Sequence, residues 1–314
     1  MTIKQQLHPR NRHNKGYDFT ALCEVYPALK PFVFTNKFGN LSIDFSSDQA
    51  VLALNAALLK NDYDIDHWVI PKGYLCPPIP GRVDYIHYLA DLLKETNNNK
   101  PVFNGKVTAL DIGTGASCIY PILACKTYGW SMLASDIDPV SIESAEKIIA
   151  ANDSLSKYIQ CRLQTSAENA LHNIIKPHEK FDITICNPPF HSSLEQGLAG
   201  TQRKWNNLKN KKDKQANTAL NFGGQNAELW CQGGELAFIR NLIKESRFYS
   251  QQVLWFTSLV SKHDHVSKLK LALKKVKANE VKVIKMSQGN KISRFLAWTF
   301  LTPEEREQWC QDRF

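Results

Sequence analysis

Residues 181–190 read Phe181-Asp182-Ile183-Thr184-Ile185-Cys186-Asn187-Pro188-Pro189-Phe190. The first six make an apolar run with the length and β-branched content of a strand buried on both faces, as in a parallel sheet. The next four then sit where the carboxyl end of that strand opens onto the sheet edge, the place where open α/β sheets take their ligands. An amino group on a flat ring is a poor nucleophile, because its lone pair is delocalised into the ring. A site that alkylates it must accept both N–H hydrogens and hold the ring flat. The Asn187 side-chain oxygen and the Pro188 carbonyl suit the two hydrogens, Pro188 and Pro189 stiffen the backbone, and Phe190 offers a stacking face. Catalysis is therefore expected at Asn187, Pro188, Pro189 and Phe190, with a planar amino group as the methyl acceptor.

Outward from that strand the pattern alternates short apolar runs with amphipathic stretches, which argues for βαβ units. Strands are expected at Val107–Ile112, Met132–Asp136, Ile159–Leu163, Phe181–Cys186, Val253–Ser258, Val281–Lys285 and Phe295–Phe300. Helices are expected near Ser117–Tyr128, Pro139–Ala151, Ala167–Ile175, Gly234–Ser246 and His263–Val276. The first strand runs into Asp111-Ile112-Gly113-Thr114-Gly115-Ala116-Ser117, a turn whose glycines let backbone approach a ligand. Position 118 is Cys, so the full G-x-G-x-x-G spacing is not met, which counts against a pyrophosphate-bearing cofactor. The next strand ends at Asp136, placed to accept hydrogen bonds from ribose hydroxyls, while Asp138 reads as a helix N-cap. A D-x-G-x-G turn, an acid ending the second strand and Asn-Pro-Pro-Phe after the fourth form, in that order, the layout of class I S-adenosylmethionine-dependent methyltransferases. The fold class is α/β, a Rossmann-like sheet with a small N-terminal module.

Residues 1–80 differ in texture, with a hairpin expected around Phe38–Phe45 and a helix over Ser47–Lys60, and read as an accessory, RNA-binding module. A Pro-rich link over Cys76–Gly81 leads into a helix at Val83–Lys94, and residues 81–314 form the methyltransferase domain. Within it, 194–226 has little periodicity; from Arg203 to Lys214 it sets Arg203, Lys204, Lys209, Lys211, Lys212 and Lys214 against Asp213 alone. That suggests a basic cover contacting phosphates, joined at the N-terminus by Arg10 and Arg12. Across all 314 residues Lys and Arg exceed Asp and Glu by 39 to 30, which favours a polyanionic partner. The longest apolar stretch, around Val51–Leu59, is too short for a bilayer and the N-terminus has no secretory pattern, so a cytoplasmic protein is expected. Eight cysteines without a C-x-x-C pair and nine histidines without H-E-x-x-H spacing give no metal site. His263 and His265 read as solvated helix-start residues.

The chain resembles the bacterial RlmF family of 23S ribosomal RNA adenine-N6 methyltransferases and its eukaryotic relative that modifies U6 small nuclear RNA. The resemblance rests on His8-Pro9-Arg10-Asn11-Arg12, Pro80-Gly81-Arg82-Val83-Asp84-Tyr85-Ile86-His87, Leu110 to Pro121, Cys186 to Phe190, Gly233-Gly234-Glu235-Leu236 and Leu296-Ala297-Trp298. It implies S-adenosylmethionine as cofactor, with Arg82 on its methionine carboxylate, Asp111, Gly113, Gly115 and Ser117 around the turn, and Asp136 on the ribose. Asn187 would span cofactor and target base, and a further contact is implied within Thr165–Glu168. The implied partner is 23S ribosomal RNA or a large-subunit precursor; nothing in the sequence demands a dimer, so a monomer is expected. An N5-glutamine protein methyltransferase and a DNA adenine-N6 methyltransferase stand as alternatives, because an amide nitrogen or a DNA base poses the same lone-pair problem.

Overall fold

The computed structural model describes residues 7–102, 105–190, 231–288 and 291–314. Helix α1 (Phe19–Val25), strands β1 (Val33–Thr35) and β2 (Leu41–Ile43), and helices α2 (Asp48–Tyr63) and α3 (Ile79–Thr96) come first. The alternating part follows: β3 (Thr108–Ile112), α4 (Ile119–Tyr128), β4 (Ser131–Asp136), α5 (Pro139–Ala150), α6 (Asp153–Ser156), β5 (Ile159–Leu163) and β6 (Phe181–Cys186). Then come α7 (Gly234–Ser246), β7 (Val253–Leu259), α8 (His263–Lys275), β8 (Glu280–Gln288), β9 (Lys291–Thr299) and α9 (Pro303–Arg313).

Seven strands form one sheet in the order β5-β4-β3-β6-β7-β9-β8, parallel from β5 to β7, with β9 antiparallel to both neighbours. This is the α/β sheet that the spacing predicts. From β3 the chain builds outward through β4 to β5, then returns to place β6 on the other side, so the order reverses between β3 and β6. Ligands bind at such a switch point. The register sharpens the placement: Ile112 pairs with both Cys186 and Ser135, so Gly113, Asn187 and Asp136 leave three adjacent strands at one level.

Both faces of the parallel strands are covered, which is why β6 is buried along its whole length. Ala109, Ile183 and Ile185 pack toward α3, α4 and α5 in a core that also takes in Phe19, Leu22, Leu54 and Leu58. The first eighty residues thus share an apolar core with that face of the sheet. Leu110, Ile112, Phe181 and Cys186 serve the opposite face, under α7 and α8.

Both ends of the described chain are fastened by polar bonds to the middle. The His8 N–H donates to Asp84 at 2.7 Å, Asn11 Nδ2 donates to the same carboxylate and to the Pro80 carbonyl, and His8 Nε2 meets Asp91 at 2.8 Å. At the other end α9 lies against the start of β6. There Asp182, 0% exposed, accepts from Trp309 Nε1 at 2.8 Å, Arg313 Nε at 2.6 Å and the Thr108 N–H at 2.7 Å.

Three local expectations are corrected. The hairpin lies earlier than Phe38–Phe45, pairing Val33 with Ile43, because Asn36 Oδ1 accepts the Phe38 and Asn40 N–H groups and sets the turn there. Helix α3 starts at Ile79 rather than Val83, since Pro80 in the first turn gives up only an N–H that has no intrahelical partner. Ala167–Ile175 is not helical. Its N–H groups at Ala170, Leu171 and His172 go instead to the Glu245 carboxylate of α7, at 2.7–3.2 Å.

Candidate active site

A cavity of about 530 Å³ opens at the carboxyl edge around the switch point, and Arg82, Gly113, Gly115, Ser117, Asp136 and Asn187 all line it. Gly113 and Gly115 have φ of 76° and 65°, in the left-handed region that glycine tolerates. A side chain at Gly113 would meet nothing within 4 Å, so the turn leaves open space beside its backbone. The turn is held from several sides. The Gly113 and Thr114 N–H groups donate to the Ser135 carbonyl, Ser144 Oγ to the Ala116 carbonyl and Trp68 Nε1 to the Ser117 carbonyl at 2.9 Å.

Asp136 is partly satisfied by the protein: Oδ2 accepts the Gly115 N–H at 2.8 Å and Oδ1 the Asp138 N–H at 2.9 Å. Each oxygen keeps a second lone pair for a hydroxyl donor. Burial pushes this carboxyl up, opposed by those two N–H bonds. Asp138 caps α5 through the Val140 and Ser141 N–H groups, as its position predicts, and also accepts from Tyr74 Oη.

Asp111 differs. It is wholly buried and neither carboxylate oxygen has a hydrogen-bond partner among the described residues. Burial pushes the group up to about 7; the Thr114 hydroxyl beside it opposes this, Asp136 adds to it and Arg82 opposes it. The unpartnered buried atoms include Thr114 Oγ1 and Asn187 Oδ1 as well, so the ends of two neighbouring strands, β3 and β6, carry polar groups with unused capacity. Isolated acceptors of this kind are costly unless a donor or cation arrives. Arg82, in the first turns of α3, stands 5.5 Å over the Tyr120 ring at the cavity wall, presenting a cation there. This donor and acceptor set fits a ligand that brings an ammonium, a carboxylate and ribose hydroxyls together.

Pro189 lines the cavity, whereas Pro188 and Phe190 do not. The segment where a further contact was expected, Thr165–Glu168, contributes Ala167 and Glu168, and its neighbours Gln164, Asn169 and Ala170 line the wall too. Gln164 is pinned by its own bonds, Nε2 to the His172 carbonyl and Oε1 from the Ser166 N–H. Tyr120, Pro77 and Phe238 are lining residues that the motifs did not point to. Tyr120 had a signal in its place in the Leu110 to Pro121 run and Pro77 in the Pro-rich link over Cys76–Gly81, whereas Phe238 had none.

The residues expected on the phosphate side fare differently from one another. Arg10 is engaged inside the protein: Nη2 donates to Asp91 at 2.7 Å and to the His87 carbonyl, and Nε to Tyr128 Oη. Arg12 is exposed and donates to the Asp62 carbonyl. Arg203, Lys204, Lys209, Lys211 and Lys212 lie outside the described residues. His265 is not solvated as expected. Its Nδ1 meets the buried Glu235 carboxylate at 2.6 Å, and Glu235 also accepts the Ser261 N–H, tying α7 to α8 at the cavity edge. No group of three or more His, Cys, Asp or Glu able to hold a metal occurs among the described residues, and none of their helices is long and apolar enough to cross a membrane.

Residues 1–302 match the model of a family described as RNA methyltransferase. The chain is 53% identical over 324 residues to the Ribosomal RNA large subunit methyltransferase F of Shewanella halifaxensis, covering 98% of this chain and 85% of that one. It is 55% identical over 297 residues to the protein of the same name from Colwellia psychrerythraea, covering 94% and 99%. Among solved structures it is similar to the hMettl16 catalytic domain in complex with MAT2A 3'UTR hairpin 6, with a TM-score of 0.76, 29% identity and coverage of 95% and 98%. It is also similar to the N-terminal domain of human METTL16 in complex with SAH, with a TM-score of 0.73, 28% identity and coverage of 95% and 100%.

Proposed function

The chain belongs to the RNA methyltransferase family, and we propose on that premise that it methylates N6 of one adenine in 23S ribosomal RNA. The observation that carries this reading is Asn187 Oδ1. It is buried, without a partner among the described residues, and one residue past the Cys186 that pairs with Ile112 at the switch point. Leaving such an acceptor unpaired costs about 1–3 kcal/mol, recovered when an amino N–H enters. The ribosomal target comes from the relatives named as large-subunit RNA methyltransferases, and free RNA or a large-subunit precursor in the cytoplasm would be the substrate.

When bound, S-adenosylmethionine supplies a methyl group on a positively charged sulfur. The Asp111 carboxylate would hold its ammonium group, Arg82 its carboxylate and Asp136 its ribose hydroxyls, with Gly113, Gly115 and Ser117 forming the backbone bed. Asn187 Oδ1 and the Pro188 carbonyl accept the two amino hydrogens of adenine, which turns the nitrogen lone pair into the cavity. Phe190, half-buried at the end of the motif, stacks on the ring. Extruding a paired base costs roughly a few kcal/mol and stacking returns about 1–3. Positioning and electrostatics therefore supply most of the acceleration. Arg12 is a phosphate contact in this scheme, and Arg10 holds the N-terminal segment that carries it.

Labelled S-adenosylmethionine, offered with total RNA, DNA and protein from cells lacking this protein, should mark adenine in 23S RNA. Label in glutamine or in DNA instead would overturn the reading. Asn187→Ala should keep cofactor affinity and lose turnover by about 10²–10³-fold; near-normal turnover would remove Asn187 from the mechanism.

A further inference from the structure

Helices α7 and α8 both start at the carboxyl edge, where Phe238 of α7 lines the cavity and His265 of α8 meets Glu235. Their inner faces, through Ile239, Leu242, Ile243, Leu269 and Leu273, close the second core. Their outer faces carry cations at helical repeat. Arg240 and Lys244 follow one another along α7 with Arg247 just past its end, and Lys270 and Lys274 along α8 with Lys277 just past its end; all six are exposed. None of them forms an ion pair with an acid among the described residues.

The acids that could balance this face are used elsewhere. Between 234 and 277 nine cations stand against three acids, an excess of six out of the whole chain's +9. Glu235 is bound to His265 and Ser261, and Glu245 is bound to the backbone of residues 170–172. That leaves Asp264, beside His263. An ordinary solvated surface intersperses the two signs; this one does not.

We propose that the outer face of α7 and α8 binds the phosphate backbone of the RNA flanking the methylated nucleotide. This deepens the proposed function and rests on it. Residues four apart on a helix rise about 6 Å, so each row presents successive cations along one line to the repeating anions of a single strand. The helices begin at the cavity edge, and the rows start about two turns in and lead away from it, a direction open to a strand that leaves the pocket. At the far end Phe248 is 82% exposed beside Arg247, an apolar face on which an unpaired base can stack.

Two triple variants test it, Arg240→Ala with Lys244→Ala and Arg247→Ala, and Lys270→Ala with Lys274→Ala and Lys277→Ala. Each is assayed on long ribosomal RNA and on a short oligonucleotide holding the target adenine, after melting and cofactor affinity have been matched to the wild type. The expected result is a slope of log K against log salt lowered by about 0.7–0.9 per lost contact. KM for the long RNA should rise by at least about tenfold, while kcat on the short one stays unchanged. Arginine at the same lysines should restore the slope. An unchanged slope and KM would overturn the proposal, as would an equal loss on long and short substrates. A wild-type protein that methylates no RNA of any length would instead refute the underlying function.

Discussion

At the amino edge of the sheet, Asp182 of β6 accepts from the Thr108 N–H, Trp309 Nε1 and two nitrogens of Arg313. At the carboxyl edge of the neighbouring strand β3, Asp111 is equally buried and accepts from no described residue. The same side chain thus does opposite work at the two ends of adjacent strands. With its donors supplied by the chain, a buried carboxylate holds elements together; with them withheld, it keeps its acceptor capacity free for a donor or cation.

Removing the first acid should have the largest effect on folding. Asp182→Ala strands the Trp309 and Thr108 donors and leaves Arg313 beside an apolar core, and should cost about 3–5 kcal/mol in denaturant unfolding. Cofactor affinity of the molecules that remain folded should be unchanged. If stability held and affinity fell, the contrast between the two edges would be wrong.

Asp111→Asn should behave in reverse. It removes a buried charge that the folded protein leaves unpaired, so stability without ligand should hold or rise, while cofactor affinity should fall by about 10–100-fold, or roughly 1.4–3 kcal/mol. The pH dependence carries the same signature. Burial holds the Asp111 carboxyl up at about 7 in the ligand-free protein, so the folded state keeps a proton that the unfolded chain releases near 4. Stability without ligand should therefore fall as pH rises from about 4 to about 7 and level off above that. Binding of an ammonium-bearing ligand favours the ionised carboxylate, so affinity should weaken as pH drops below about 7. Asp111→Asn should flatten both curves, and parallel melting and titration series would show whether it does.

The smallest of these effects concerns the wall between the edges. Glu245→Gln keeps the side-chain shape but removes the charge that gathers the Ala170, Leu171 and His172 N–H groups. It should cost about 1.5 kcal/mol in stability and raise KM for the cofactor modestly, through looser Asn169 and Ala170. An unchanged KM would make the cradle purely structural.

What could be read from the sequence follows the same divide. The placement of the carboxyl edge was legible because its turns are contiguous, so Gly113, Asp136 and Asn187 could be set at strand ends by the apolar runs before them, and all three line the cavity. The order of strands β5-β4-β3-β6-β7 did not come with them, because spacing along the chain does not say which strands are neighbours. The amino edge was opaque: nothing in an apolar run tells that Asp182 will meet Trp309 and Arg313. Ala167–Ile175 has a helical pattern, yet its N–H groups are claimed by a carboxylate some 75 positions later. His265 looked solvated for the same reason, since its partner Glu235 lies 30 residues earlier. Arg10 reads as a free cation until Asp91 is brought to it by α3.

The clasp on Asp182 has a consequence in time. Its guanidinium partner lies 131 residues further on, which at roughly 5–20 residues per second is about 7–26 s of ribosomal synthesis. During that interval the strand that ends in the Asn-Pro-Pro-Phe motif carries an anion with nothing to neutralise it. The nascent chain can collapse around β3, β4 and β5 much earlier, whereas the bonds from Trp309 and Arg313 to Asp182 close only once α9 has emerged. The contact that secures the strand leading into the Asn-Pro-Pro-Phe motif is therefore among the last that this polypeptide makes.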